Sequence, residues 1–475
     1  MSPGGTRIDR AQRRTVAAWL FYGTLLVYVL TAAYRQQSID TISTYIPAWQ
    51  LATHGNLTVD HFADPQLWFV HSHGRLVSNR FPGAVLFATP FYFLLDHSDR
   101  PLPLVGNLAA ATATAAAVTA LFLLLSRMAN RRTALAGALL VAFGTPTWAV
   151  SGHALWTHGP AQLCLLLALL ALASGHPLLA GLALGGAVLT RPHLVLVAAA
   201  VALALTWRHR SVRPALPLAL GSGAGVIALL IYNRLLYGGW TVLGAYSSPA
   251  AGAGTSTVRS GLGGVGPVAF LQNIAGALVS PGRGVLVLTP FVLLLLPGLP
   301  AAWRSSPSWA RQAAGGGLLY LAAQLWWDDF WGGYGFFSYR LPLETLTLAA
   351  PVLLLAYQGW TAQRPWRRRS FTALVAVSVG FQALGVTVPS NGWQPASVWT
   401  TFAPLSVWST AGLGWVVVPL AAGVLVLGST RRGGWLRGTG RGTACPADCA
   451  GLPYGEKAGS AHHPDDAPVR TIAVE

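Results

Sequence analysis

The sequence predicts an all-α, polytopic membrane protein with about 12 transmembrane spans. Only 9% of its 475 residues are charged, 53% are hydrophobic, and the mean hydropathy is +0.50, whereas an average soluble domain has about 25% charged residues. A helix needs about 20 mostly apolar residues to cross a bilayer, so the chain has room for these spans but for no large soluble domain. This composition excludes an ordinary soluble enzyme.

The basic residues indicate membrane orientation rather than nucleic-acid binding. The chain has 31 basic and 14 acidic residues, a net charge of +17, which in a soluble protein would indicate a nucleic-acid partner. Here 30 of the 31 are arginines, grouped mostly in short clusters between apolar runs, as the orientation of membrane helices requires. We therefore expect contacts with membrane lipids and none with nucleic acid.

The first span follows an arginine-rich N-terminus. Four arginines within residues 7–14 precede an apolar stretch from about Val16 to Ala33, which predicts a cytoplasmic segment over 1–14 and a span that leads outward. A cleaved signal peptide is the alternative, but the run is long for one and no clear Ala-x-Ala site follows.

Residues from about 34 to 101 then form a long outer loop. Within it, the stretch from Phe81 to Leu95 is short and interrupted by two prolines, so we expect it to be interfacial or re-entrant.

The other spans follow from apolar segments and the arginines that flank them. After a span at 102–125, which ends at cytoplasmic arginines, come segments at about 134–150, 160–174, 178–190, 193–207, 215–232, 284–302, 313–327, 341–360, 371–388 and 408–428. This arrangement puts 22 basic residues inside and nine outside, in agreement with the positive-inside rule. The short pair at 178–190 and 193–207 is the weakest assignment. If it formed a single kinked span, the membrane orientation of every later span would be reversed.

The end of the chain differs from the membrane domain, which we place at 15–428. Residues 429–475 are rich in Gly, Arg, Pro, Asp and His without apolar periodicity, which predicts a disordered cytoplasmic tail. Cys445 and Cys449 lie in this tail with His462 and His463, but their spacing matches no recognised zinc site.

The carboxylates concentrate on the predicted outer face. Of nine acidic residues before the tail, eight lie outside: Asp40, Asp60, Asp64, Asp96, Asp99, Asp328, Asp329 and Glu344. Acidic residues contribute little to membrane orientation, so this bias indicates either well-solvated loops or a working site. Asp40 lies about seven residues past the first span, where the membrane surface would position and partly desolvate a general base. A solvated loop aspartate is the alternative.

Short motifs along the chain resemble those of the GT-C superfamily of polytopic glycosyltransferases, which use polyprenyl-phosphate-linked sugars. The resemblance is greatest to a largely uncharacterised bacterial branch and spans about residues 15 to 360. Its residues are Asp40 with Tyr45 and Pro47, Ser78-Asn79-Arg80-Phe81-Pro82-Gly83, Leu155-Trp156-Thr157-His158-Gly159-Pro160, Leu189-Thr190-Arg191-Pro192, Tyr232-Asn233 before Tyr237-Gly238, Ser280-Pro281-Gly282-Arg283-Gly284 before Thr289-Pro290, and Trp331-Gly332-Gly333-Tyr334-Gly335 leading to Arg340.

The sequence departs from the superfamily pattern in two places. Asp40 has no acidic neighbour, whereas members often have a paired acidic motif in the first outer loop, and this puts metal dependence in doubt. The segment from Phe336 to Tyr339 stands before Arg340 in place of a stretch of small residues and glycine, so we expect a different geometry around Arg340.

The resemblance implies that the protein transfers a sugar, with inversion, from a polyprenyl-phosphate donor to an extracytoplasmic glycan, lipid or protein acceptor of the cell envelope. It implies that Asp40 is the general base. A guanidinium on the outer face would bind the donor phosphate, because arginine engages phosphate oxygens bidentately. The candidates, in order of preference, are Arg340, Arg283, and then Arg80 and Arg191. For each of them, snorkelling to the interface is the alternative.

Further residues are candidates for substrate or metal binding. A stacked Trp156 with a hydrogen-bonding His158 suits a sugar, although a capping or interfacial role explains them equally well. Tyr45, Asp328 and Asp329 are also candidate substrate residues, and one of the two adjacent aspartates could instead pair with Arg340. No cofactor is certain. A divalent cation is a candidate because one loop contains suitable ligands, namely His71, His73, Asp60 and Asp64.

Two functions of other classes stay open. The chain could be a transporter or flippase for lipid-linked saccharides, although such proteins place ionisable groups near the bilayer midplane. It could also be a catalytically inactive membrane scaffold with the same fold, since fold does not determine function.

Overall fold

The computed structural model describes residues 5–33, 38–62, 69–244, 264–387 and 397–411. The chain divides into two units, Met1–Gly438 and Thr439–Glu475. The predicted tail at 429–475, with its cysteines and histidines, lies outside the described residues, as does most of the span expected at 408–428. In the described part the chain is mostly helical, with one two-stranded sheet. The prediction of a mostly helical protein is therefore confirmed.

The helices and strands have the following bounds. The helices are α1 (Gly5–Leu30), α2 (Ile39–His54), α3 (Pro82–Leu95), α4 (Pro103–Leu125), α5 (Arg131–Gly144), α6 (His158–Ala173), α7 (Pro177–Thr190), α8 (Val195–His209), α9 (Leu216–Tyr237), α10 (Pro267–Val279), α11 (Val285–Leu288), α12 (Leu299–Ser305), α13 (Ser308–Trp327), α14 (Leu343–Ala356), α15 (Pro365–Thr387) and α16 (Ala403–Ala411), and the strands are β1 (Phe69–Ser72) and β2 (Arg75–Ser78). Strands β1 and β2 are antiparallel and joined by His73 and Gly74, both with positive φ.

In the described part of the chain, four helices are long and apolar enough to cross a membrane. They are Pro103–Leu125, Pro192–His209, Leu216–Tyr237 and Pro365–Val386. Several other apolar helices are shorter, so the total of twelve spans stays a prediction. Exposed apolar side chains recur along one face of α9, at Leu220, Ile227, Ile231 and Leu235, and this spacing is typical of a helix whose face meets lipid.

One expectation for a single segment is wrong. Residues 284–302 do not form one helix: α11 is followed by 3-10 turns at Pro290–Leu294 and Leu296–Gly298 and then by α12. Prolines at 290, 297 and 300 remove backbone donors and so break the helix. The stretch expected to be interfacial or re-entrant forms α3, a continuous helix despite Pro90 within it, and the proline at its first position suits a helix start. Its place relative to the membrane stays a prediction.

The weakly assigned pair of spans forms two separate helices. A Cβ at Gly181 would lie 2.2 Å from the Leu218 carbonyl oxygen, and a Cβ at Gly225 would lie 2.3 Å from the Gly185 Cα. Later residues of α7 contact later residues of α9, so the two helices run parallel. Since α8 connects them in sequence, it has to run in the opposite direction, and α7 and α8 are therefore not one kinked helix. The glycines recur four residues apart on both helices, which allows membrane helices to approach closely.

Hydrogen bonds join several helix ends at one end of the bundle. Asn107 near the start of α4 donates to the Ala33 carbonyl after α1 and accepts from the Leu155 amide before α6. The Ala33 amide donates to the His153 carbonyl over 2.9 Å. The π-helical turn Thr147–Ser151 precedes this junction. The ends that meet here are those that the sequence assigns to the outer face.

The close contact of α7 with α9 leads to a stability prediction. Replacing Gly225 by Ala puts a methyl group against the Gly185 backbone, and such overpacking costs about 1–3 kcal/mol. We expect Gly225→Ala to lower the melting temperature of the detergent-solubilised protein. Gly223→Ala is the matched control on the same helix, because nothing lies within 4 Å of its added Cβ. Equal melting temperatures for the two variants would contradict this packing.

Candidate functional site

Asp40 lies in the first turn of α2. Ser38 caps this helix, and its side chain accepts a hydrogen bond from the Asp40 amide over 3.2 Å. A carboxylate in the first turn is favoured by the helix dipole. Asp40 is 9% exposed, and α2 packs along α3. The sequence thus places a nearly buried negative charge at the end of the bundle that we expect to face outward.

The β-hairpin fixes the position of Arg80. The Ser78 hydroxyl, at the end of β2, donates to the Ser43 carbonyl on α2. The Tyr237 hydroxyl, at the end of α9, donates to the Ser78 carbonyl over 2.6 Å. The Tyr232 hydroxyl donates to the carbonyl of Arg80 itself. Arg80 is thereby held between α2, α9 and the start of α3.

Arg283 shapes the loop that carries Arg340. Its side chain is almost completely buried and its guanidinium donates to the carbonyls of Phe336 and Ser338. The guanidinium also lies over the Phe336 ring, 4.0 Å from its centroid. Ser338 has a φ of +71°, an uncommon conformation for a residue with a side chain, and the arginine bonds help to hold it.

Asp40, Arg80 and Arg340 meet in one cluster. Arg80 Nη2 lies 3.0 Å from Asp40 Oδ1, and Arg340 Nη1 donates to Asp40 Oδ2 over 2.5 Å. The three side chains are 11–15% exposed. Burial raises the pKa of Asp40, but the charges of Arg80 and Arg340 more than offset it and hold the pKa below its ordinary value of 3.8. Asp40 is therefore ionised at neutral pH.

Aromatic rings line the side of this cluster. The Arg340 guanidinium lies 5.0 Å from the Trp156 ring centroid and 5.1 Å from that of Phe336, within the range of cation–π attraction. The two rings meet edge to face. Trp156 is nearly buried, and its indole N–H has no hydrogen-bond partner among the described residues.

A second charged cluster lies beside the first. Glu344 is fully buried one helical turn after Arg340, with its Oε1 2.7 Å from His158 Nδ1 and 3.5 Å from Arg191 Nε. Arg191 donates to Tyr320 over 2.7 Å and to Gln324 over 3.1 Å. This cluster, the Glu344 network, joins α6, α13 and α14 to the break between α7 and α8. Sequence reasoning did not include Glu344 in the site, although it is the one carboxylate in the apolar segment 341–360, a position that indicates function or a buried partner.

The structure divides the predicted phosphate-binding arginines into two groups. Arg340 and Arg80 face Asp40, whereas Arg191 pairs with Glu344 and Arg283 binds carbonyls of its neighbouring loop. Roles for Arg191 and Arg283 in phosphate binding stay untested predictions, but both guanidiniums already have protein partners.

The remaining predicted substrate residues lie around these clusters. His158 belongs to the Glu344 network, and Tyr45 packs in an apolar cluster between α2, α3 and α4, where burial raises the pKa of its hydroxyl to about 12. Asp328 ends α13 and accepts a hydrogen bond from the Asp329 amide. Arg340 forms its ion pair with Asp40, not with either of these aspartates.

The described residues contain no group of three His, Cys, Asp or Glu side chains that could hold a metal ion. Of the loop ligands considered from the sequence, Asp60 pairs with Arg75 and accepts from the Leu76 amide, while Asp64 lies outside the described residues. A divalent cation stays an untested prediction.

An apolar cavity of about 500 Å³ lies between α5, α14 and α15. Its lining extends from Leu125, near the arginines that we expect to be cytoplasmic, to Trp148 and Leu343 at the other end of the bundle. Leu343 is the residue before Glu344, so this end of the cavity lies close to both charged clusters.

No family model and no curated protein matches the sequence. Among solved structures, the chain is similar to ArnT from Cupriavidus metallidurans in the apo state, with a TM-score of 0.48, 17% identity, and coverage of 89% of this chain and 76% of that chain. ArnT is a member of the GT-C family. A likeness of this size carries no inference about the reaction, so the function has to be inferred from the residues of this chain.

The Glu344 network leads to a second stability prediction. Glu344→Gln leaves the Arg191 side chain, which is 15% exposed, without its counter-ion, and breaking a buried ion pair on one side costs about 3–5 kcal/mol. We expect a clear drop in the melting temperature of the solubilised protein. Asp99→Asn makes the same change at an exposed position of the outer loop and should leave the melting temperature unchanged. A Glu344→Gln protein as stable as wild type would show that the network does not stabilise the bundle.

Proposed function

We propose that the protein is a membrane glycosyltransferase that transfers a sugar from a polyprenyl-phosphate donor to an acceptor on the extracytoplasmic face. The observation that carries the proposal is the cluster of Asp40, Arg80 and Arg340 at the outer end of a helical bundle. It combines a carboxylate able to accept a proton with two guanidiniums able to bind a phosphate. The motif resemblance to the GT-C superfamily supports the same function.

The proposed chemistry is a single displacement. Asp40 removes the proton from the acceptor hydroxyl as the hydroxyl oxygen attacks the anomeric carbon. The bond from that carbon to the phosphate oxygen breaks, and the electron pair leaves with the polyprenyl phosphate. Arginines aimed at the phosphate stabilise the charge that develops there, and attack opposite the leaving group inverts the anomeric centre.

The site has groups suited to each part of such a substrate. Trp156 and Phe336 offer aromatic surfaces beside Arg340, and Arg340 and Arg80 offer the phosphate contacts. The apolar cavity beside α14 has the chemistry that an isoprenoid chain requires, because its walls are apolar. The acceptor, which could be a glycan, a lipid or a protein, and the sugar are not specified by these residues.

The test measures release of free polyprenyl phosphate by the full-length protein in lipid nanodiscs. A panel of radiolabelled polyprenyl-phosphate sugars is supplied with candidate acceptors and divalent ions. We expect Asp40→Asn to reduce release at least about 100-fold, the usual contribution of a general base. The reduction should appear in kcat, because the substituted amide cannot accept the proton.

Asp99→Asn is the matched control, since it removes an exposed carboxylate from the same outer loop and should leave release unchanged. Release that is equally fast in wild type and Asp40→Asn would overturn the assignment of the base. Donors that bind but are never turned over would favour a carrier for lipid-linked saccharides or an inactive scaffold.

A further inference from the structure

Asp40 occupies the place between two guanidiniums where an anion binds best. Its two carboxylate oxygens each face a different arginine, Oδ1 toward Arg80 and Oδ2 toward Arg340. Arginine binds carboxylate and phosphate through the same planar donor geometry. In the present arrangement, the carboxylate of the protein and the phosphate of a substrate would therefore compete for the same donors.

The arrangement of this cluster suits an exchange of anions. One carboxylate faces two guanidiniums in a nearly buried place. The Glu344 network differs, because Glu344 is fully buried and Arg191 is bonded to several protein groups. The Asp40 cluster, in contrast, combines two guanidiniums around one carboxylate with partial exposure of all three side chains.

The surroundings of Arg340 leave donors and space for a phosphate. Arg340 Nε is buried and has no hydrogen-bond partner among the described residues, so the guanidinium is not saturated by Asp40. Gly332 and Gly333 lie against it, and an added Cβ would be 3.2 Å from Nε and 3.4 Å from Nη2, respectively. Both glycines have positive φ, a conformation that side chains disfavour.

We propose that Arg80 and Arg340 form the donor-phosphate site and that Asp40 fills it until the donor phosphate displaces it. This inference rests on the proposed function, because it assigns the phosphate of that substrate to this site. Displacement transfers the guanidiniums from the carboxylate to the phosphate. Asp40 then becomes a stronger base, since the two cations that favour its ionised form are neutralised by the phosphate. Donor binding thereby activates the base that uses the donor.

The test is the affinity for a short-chain polyprenyl phosphate, measured by calorimetry on the full-length protein in detergent. If Asp40 competes with the phosphate, Asp40→Asn binds this lipid about tenfold more tightly than wild type, which equals about 1.4 kcal/mol. The same variant is the one that should lose transfer activity. Tighter binding combined with lost turnover is not expected of a residue that only supports the fold.

Three further variants make the result specific. Asp40→Ala also removes the anion and should bind more tightly, which keeps the test available if the asparagine variant does not fold. Asp40→Glu retains a carboxylate and should bind no more tightly than wild type. Arg340→Ala should weaken binding at least about tenfold, because it removes a phosphate ligand.

The outcomes separate this inference from the proposed function. If wild type binds the lipid through Arg340 but Asp40→Asn and Asp40→Ala bind it equally or more weakly, the displacement is overturned while the transferase proposal stands. If neither wild type nor any Asp40 variant binds polyprenyl phosphate, the proposed function itself fails.

Discussion

The ion pairs of Asp40 with Arg80 and Arg340 are the constraint on which this end of the helical bundle depends. A charge removed from water is costly unless it is paired and hydrogen-bonded, so these three side chains have to arrive together. They come from the start of α2, the end of β2 and the loop before α14, which are far apart in sequence. The capped helix, the hairpin and the Arg283-bound loop each serve to deliver one of them.

The two charged clusters perform different tasks although they are close in the fold. Arg340 lies in the loop just before α14, four residues ahead of Glu344 in its first turn. In the Glu344 network, His158 and Arg191 both lie against Glu344 Oε1, and Arg191 also donates to Tyr320. Glu344 Oε2 is buried and has no hydrogen-bond partner among the described residues. In the Asp40 cluster, Arg340 Nε is buried and has no hydrogen-bond partner among the described residues. We expect the first cluster to stabilise the framework and propose that the second receives the substrate.

Much of the architecture is predictable from hydropathy and arginine placement, because both follow directly from bilayer physics. The helices α4, α8 and α9 lie close to the expected segments, and Asp40 and Arg340 were singled out. The breaks after Arg283 and the continuity of α3 were not predicted, because the effect of a proline depends on the neighbouring packing that sequence does not reveal. The pairing of Arg191 with Glu344 was not predicted, because the two residues are more than 150 positions apart in the chain.

The hairpin is bonded to two helices next to the site where we propose that the donor phosphate binds. Ser78 is bonded to α2 on one side and to Tyr237 of α9 on the other, so both contacts hold β2 in place. The proposed donor is carried on an isoprenoid tail, and such a molecule would approach sideways, by diffusion within the leaflet. Its rate of capture would depend on its surface density in the membrane and not on any bulk concentration, and dilution of the aqueous phase would leave that rate unchanged.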